Sequence, residues 1–152
     1  YFSCDDDLIY PPDYIETLVN EIEETKCIVT HHGRLLRGEN HNYYTGHYAF
    51  PCLAEQPNKC AIHVAGTGVT GFRTDYFNPY IWGAEDKLMS DLVFSLEAAK
   101  QGKKIMLMPH KNNWLTYQNI PDNLTIHHHF MNKERPKRQV EIANEIFKLG
   151  PI

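Results

Sequence analysis

The chain has 152 residues, 42% of them hydrophobic and 22% charged, with nine Tyr, seven Phe and two Trp. That suffices for one globular domain with a core of its own and is too apolar for a disordered chain. A net charge of −4 argues against a protein that coats nucleic acid, whose footprint would be basic, and no apolar run is long enough to span a bilayer.

In chain order, Tyr1-Phe2-Ser3-Cys4 reads as the last part of a strand. Three consecutive carboxylates follow, Asp5-Asp6-Asp7, just before Leu-Ile-Tyr-Pro-Pro. Adjacent like charges repel, so such a run is either a solvated acidic turn or is held by a counter-charge. A hard divalent cation is the simplest one, because it prefers oxygen ligands and sits well at the C-terminal edge of a sheet, where it can meet a diphosphate. Alternation along an extended backbone puts Asp5 and Asp7 on one face and Asp6 on the other, with Asp7 the favoured direct ligand.

Asp13, with Glu16 in capping-box position, predicts a helix whose apolar face is Ile15, Leu18, Val19 and Ile22. Cys27-Ile28-Val29-Thr30 predicts a strand, completing a strand–helix–strand unit typical of parallel α/β proteins. Residues 31–59 are polar, aromatic and rich in His, and read as an excursion over the sheet edge. A strand is expected over 60–64, then a turn at Ala65-Gly66-Thr67-Gly68-Val69-Thr70-Gly71. Those glycines either form a plain bulge or let the backbone approach a ligand; no Lys-Ser or Lys-Thr makes them a P-loop. Trp82-Gly83-Ala84-Glu85-Asp86 leads to a second helix over 90–101, with Leu92, Leu96 and Ala99 inward and Gly102 as its stop. Ser90 and Asp91 open it, as caps or, for Asp91, as a general base aimed into a cleft. A strand over 104–108 ends at Pro109-His110, and Pro136 opens a last helix with Val140, Ala143, Ile146 and Phe147 inward. Cys4, Cys27, Cys52 and Cys60 form no C-x-x-C pair; reduced thiols are expected, with Cys4 and Cys27 buried, although Cys52 and Cys60 could pair under oxidation. Among nine histidines, His31 and His32 leave a strand, His110 follows another, and alternation would pair His127 with His129 in the run 127–129.

Taken together, three blocks resemble a GT-A type nucleotide-sugar glycosyltransferase, nearest the N-acetylglucosaminyltransferases of bacterial heparosan-type capsule synthesis. They are Cys4 to Tyr14 as a "DXD" segment, Gly66-Thr67-Gly68 with Phe72-Arg73-Thr74-Asp75, and Ser90 to Ser95 followed by Lys103-Lys104-Ile105 and Pro109-His110-Lys111-Asn112-Asn113-Trp114-Leu115. The resemblance implies an α/β fold with a mixed, mainly parallel sheet flanked by helices, Rossmann-like in the GT-A manner. Residues 1–152 would be its C-terminal portion, the metal-binding and acceptor half of a single domain whose nucleotide-binding half precedes it. It implies Mn2+ or Mg2+ on Asp7, with His110 as a late metal ligand, and donor contacts from Asp5, Asp6, Gly66, Thr67, Gly68 and Trp114. Asp91 takes the place of the catalytic base, where the family carries a Glu-Asp pair and this chain has Ser90-Asp91. The implied partners are a UDP-sugar donor and an oligosaccharide or polysaccharide acceptor, with no nucleic acid. The implied place is the cytoplasm, at the inner membrane face beside a membrane-bound polysaccharide synthesis complex. Two rivals remain on the residues alone. One is a metal-dependent phosphoesterase using the triplet with His31, His32 and His110. The other is a carbohydrate-binding module using the aromatic segments 41–50 and 76–82.

Overall fold

A computed structural model describes residues 1–39, 43, 45–79, 89–118 and 137–150. The segment 82–86, the histidine run 127–129 and Pro136 lie outside the described residues.

Ten short strands and three helices are described: β1 (Phe2–Cys4), β2 (Leu8–Ile9), α1 (Tyr14–Thr25), β3 (Ile28–Thr30), β4 (Gly33–Leu36), β5 (His47–Phe50), β6 (Cys60–Ile62), β7 (Val64–Ala65), β8 (Val69–Gly71), α2 (Ser90–Lys100), β9 (Ile105–Leu107), β10 (Thr116–Tyr117) and α3 (Lys137–Leu149). The main sheet has the order β1-β8-β3-β9-β6. Side chains alternate across it, as the twofold period of a strand requires. Val29 and Val69 join Tyr14, Leu18 and Ile22 of α1 on one face. On the other face Ile28, Ile105 and Leu107 meet Phe94 and Ala98 of α2. The sheet is therefore covered on both sides, and α3 packs outside α2 through Ile142, Ala143 and Ile146 against Leu92 and Leu96.

The α/β class with flanking helices is present, but the sheet is not mainly parallel. Among the described residues only β3 and β9 pair in parallel, Ile28 opposite Ile105; β1–β8, β8–β3 and β9–β6 are antiparallel. The strands β1 and β3 that flank α1 do run the same way, as the strand–helix–strand pattern predicts. The antiparallel β8 is inserted between them, and its three residues between glycine turns gave no period to read.

Other local expectations are corrected too. Asp13 makes no side-chain capping bond. The buried stripe of α1 is Tyr14, Leu18 and Ile22, while Ile15 and Val19 stay 46% and 42% exposed. Tyr14, one position before Ile15, completes the inward stripe with Leu18 and Ile22 at a spacing of four residues. Within the stretch expected to be an irregular excursion, β4 and β5 pair antiparallel, and β4 also pairs β7, in a second, three-stranded sheet. The expected strand over 60–64 breaks at His63, whose amide turns to Arg34 of the hairpin. All four cysteines are free thiols; Cys52 is buried, but Cys4 is exposed and Cys27 half-buried. Among the described residues no helix is long and apolar enough to cross a membrane.

Candidate active site

Three loops leave the same edge of the main sheet and meet over it. The acidic segment follows β1, the pair His31-His32 follows β3, and the glycine turn precedes β8. Because β1 and β8 are antiparallel neighbours with Cys4 opposite Val69, the end of one strand faces the start of the other. That register sets Asp5 against Gly68. A Cβ at Gly68 would lie 1.9 Å from Asp5 Oδ2, and one at Gly66 would lie 2.7 Å from the His32 ring. Neither glycine is needed for a left-handed φ; both are needed because side chains lie flat on them.

The result is a cleft of about 120 Å³ lined by Asp5, Asp7, His32, Cys52, Asp91 and Tyr117 around the Gly66-Thr67-Gly68 turn. Asp6 does not line it; Asp6 and Asp7 form a turn rather than an extended strand, so the turn and not strand alternation decides which carboxylates face the cleft. Hydrogen bonds brace every wall. Tyr10 Oη accepts from the Asp5 amide at 2.7 Å and donates to the Gly68 carbonyl at 2.6 Å. Thr70 Oγ1 donates to the Gly66 carbonyl at 2.7 Å. The Gln118 amide donates to the Asp7 carbonyl at 2.8 Å, next to the β2–β10 pairing. This joins the triplet block to the Trp-Leu block, the two most specific parts of the resemblance.

Asp91 is not spent on capping its own helix. The α2 N-cap is Met89, with no side-chain capping bond. Asp91 Oδ1 instead accepts the Thr67 amide at 2.9 Å and the Thr67 hydroxyl at 2.8 Å. Its Oδ2 faces Arg34 Nη1 at 3.6 Å. The helix thus delivers a carboxylate to the glycine turn with one oxygen fixed and the other turned to a cation.

The electrostatics are those of crowded acids. The Asp5 carboxyl is pushed above its ordinary range, first by its burial against the turn and then by repulsion from Asp7, Asp91 and Asp6. His32 is held below the ordinary histidine range by burial foremost, then by the Arg34 charge; Asp91 opposes this and His110 adds to it. Carboxylate oxygens that strain against their own charge suit a hard divalent cation. Asp7 and Asp5 are the residues that could hold one. Among the described residues no three His, Cys, Asp or Glu side chains gather into a metal cage.

His110 and Trp114 are placed elsewhere. Neither lines the cleft; both belong to a buried aromatic group beneath it. The Trp114 ring lies 4.8 Å from His31 and 5.7 Å from Tyr14, and His110 meets His31 edge-on at 5.4 Å. His110 Nδ1 donates to the Met108 carbonyl at 3.1 Å. His31 is fully buried, with Nε2 directed to Glu21 Oε1 at 3.2 Å. The strand ends that carry these rings turn inward against α1, so the apolar contact with Tyr14 outweighs a place at the cleft. Of the three histidines a phosphoesterase would need around its metal, only His32 reaches the acids.

Residues that sequence reasoning did not assign to the site are Arg34, Tyr10, Cys52 and Tyr117. Arg34 was hidden in the stretch without periodicity, and Tyr10 looked like part of the turn before two prolines. No protein-family model matches the sequence, and no curated protein matches it. The chemistry of the cleft is what bears on function.

Proposed function

We propose that this chain forms the metal-binding and acceptor side of a metal-dependent glycosyltransferase that moves a sugar from a UDP-sugar to a glycan acceptor with inversion. The observation that carries the reading is that Asp5, Asp7, the Gly66-Thr67-Gly68 turn and Asp91, scattered over nearly ninety positions of sequence, line one small cleft. In this reading Asp7, with Asp5 beside it, would hold Mn2+ or Mg2+, which when bound offsets the charge that develops on the leaving diphosphate. Asp5 lies against Gly68, where a backbone without side chain leaves room for the donor.

Asp91 supplies the base. Thr67 fixes Oδ1 through two hydrogen bonds, which leaves Oδ2 to take the proton of an acceptor hydroxyl. That hydroxyl oxygen bonds to the anomeric carbon as the bond from carbon to the diphosphate oxygen breaks, its electron pair leaving with the diphosphate. The transition state has oxocarbenium character, and a single displacement inverts the centre. Arg34, 3.6 Å from Oδ2, holds the carboxylate in place before the acceptor arrives. His110 and Trp114 serve at one remove, packing beneath the loop that ends in the Gln118–Asp7 bond. The acceptor is a surface polysaccharide, and the site of action is the cytoplasmic face of a membrane-bound synthesis complex.

Calorimetry of UDP and UDP-N-acetylglucosamine, with and without Mn2+, tests this. Binding that requires the metal and disappears in Asp7→Ala is expected. Binding indifferent to both would overturn the transferase reading and favour a carbohydrate-binding module.

A further inference from the structure

The cleft contains one imidazole, and its hydrogen bonding fixes what it can do. His32 Nδ1 lies 3.3 Å from the Cys52 amide. A backbone N–H only donates, so Nδ1 must be the unprotonated nitrogen and its lone pair is engaged. The neutral ring then carries its proton on Nε2, and neither nitrogen has a lone pair to offer an ion. The ring is locked in that pose from its other side as well: its Cβ, Cγ and Cδ2 lie flat on Gly66, where any Cβ would stand 2.7–2.9 Å from them. No protein group among the described residues accepts from Nε2, although His32 lines the cleft.

The other polar side chains of the cleft are mainly carboxylates, which accept hydrogen bonds. Asp5, Asp7 and Asp91 can serve the hydroxyls of a sugar, but they repel a phosphate. An anionic oxygen entering here needs a donor. Arg34 is already turned to Asp91, and the Thr67 hydroxyl donates to the same carboxylate. His32 remains.

We propose that His32 is a substrate-binding residue that donates its Nε2–H to a phosphate oxygen of the substrate, and that it is not a metal ligand. This rests on the transferase reading above and deepens it, by assigning the phosphate-side hydrogen bond to a residue that the family resemblance does not mark. It also inverts the role a phosphoesterase would give the same histidine.

Two substitutions separate the ring's two nitrogens. His32→Asn places an amide oxygen near Nδ1, so it can still accept the Cys52 amide, but it lacks a donor at the Nε2 position. His32→Gln places an amide nitrogen near Nε2. Pyrophosphate and UDP are titrated by calorimetry with Mn2+ present, and Mn2+ alone is titrated separately. His32→Asn is expected to keep the affinity for Mn2+ alone and to bind pyrophosphate about tenfold more weakly or worse, the usual effect of losing a hydrogen bond to a charged group. His32→Gln should recover part of the loss. Wild-type pyrophosphate binding in His32→Asn, or a fall in its affinity for Mn2+ alone, would overturn the assignment. So that the test does not depend on a variant's folding, nitrogen-15 NMR of the histidines in the unaltered chain should show His32 protonated on Nε2, with that resonance moving on addition of pyrophosphate. The opposite tautomer, or an unmoved resonance, would overturn it. If His32→Asn binds normally while Asp7→Ala does not, only the His32 role falls. If the unaltered chain shows no Mn2+-dependent binding, the transferase reading falls and His32 with it.

Discussion

Replacing Gly68 by Ala is the sharpest perturbation the cleft offers. The new Cβ would lie 1.9 Å from Asp5 Oδ2 and 2.1 Å from its Cγ, so the carboxylate must retreat by roughly 1.5 Å to reach ordinary contact near 3.4 Å. The backbone does not oppose the change, because Gly68 has no left-handed φ. Restricting the unfolded chain favours the variant by about 0.4–1 kcal/mol, and forcing Asp5 off its rotamer costs about 0.5–1.5 kcal/mol. These nearly cancel, so the melting temperature should move by no more than about 4 °C. Binding does not share that cancellation. A displaced Asp5 forfeits a charged interaction of about 1.5–3 kcal/mol, and metal-dependent UDP binding should weaken by about tenfold to a hundredfold. Calorimetry beside thermal unfolding reads both quantities. A double-mutant cycle with Asp5→Asn closes the test: the pair should bind no worse than Asp5→Asn alone. Unchanged UDP affinity in Gly68→Ala, or losses that simply add in the cycle, would refute the placement of Asp5 in the site.

Four further outcomes are expected. Asp91→Asn should lower sugar transfer by about 10²–10⁴ with donor binding intact, measured as turnover beside UDP calorimetry; near-normal transfer would remove Asp91 as the base. Tyr10→Phe keeps the ring against Tyr14, with centroids 4.6 Å apart, but loses both hydroxyl bonds; urea unfolding should show a loss of about 1 kcal/mol, together with weaker Mn2+ binding. The raised carboxyl of Asp5 makes its charged form a burden on the fold, so its stabilising contribution is present below the ordinary value of 3.8 and is lost as pH rises through the higher folded value. Without metal, Asp5→Asn should therefore unfold at higher urea than the parent at pH 7, and this advantage should vanish at pH 3. His63 is the converse case: burial holds it below the ordinary 6.5 while Nδ1 accepts the Leu36 amide at 3.0 Å, so its contribution is present above 6.5 and lost as pH falls through the lowered value. His63→Asn, which keeps an acceptor near Nδ1, should flatten that acid limb of the stability profile.

The helices were legible because their apolar residues recur with helical spacing: Leu18 and Ile22, Leu92 and Leu96, Ala143 and Ile146 are all buried where the pattern put them. The β-branched run Ile28–Thr30 and the apolar run Ile105–Leu107, both in the main sheet, were equally plain. What escaped was decided by partners far away in sequence. Nothing local in Val69–Gly71 says that it will slip between two parallel strands, and the β4–β5 pair is coded by pairing with Val64 and Ala65 rather than by alternation of its own. The site divides the same way. Asp5 and Asp7 do share one wall, as expected, but a turn at Asp6-Asp7 puts them there rather than the alternation of an extended strand. The strand-end rule brought His32 to the cleft but sent His110 into the core, because the rule locates a backbone position and packing against His31 and Trp114 decides where the His110 ring goes.

The acidic segment hangs from β1, which among the described residues is the rim of its sheet, bonded to β8 alone. Rim strands fray before central ones, so in hydrogen exchange Ser3 and its neighbours open far more often than Val29 or Met106. The carboxylates that define the cleft are thus mounted on one of the least anchored strands of the sheet, while the turn and helix they face are anchored in its middle. Whatever ligand spans that gap does two jobs at once, since tying Asp5 and Asp7 to Thr67 and Asp91 also stitches the margin of the sheet to its interior. Affinity and local order at this edge then draw on one and the same free energy, and a change that firms up β1 from afar would tighten binding without touching the cleft.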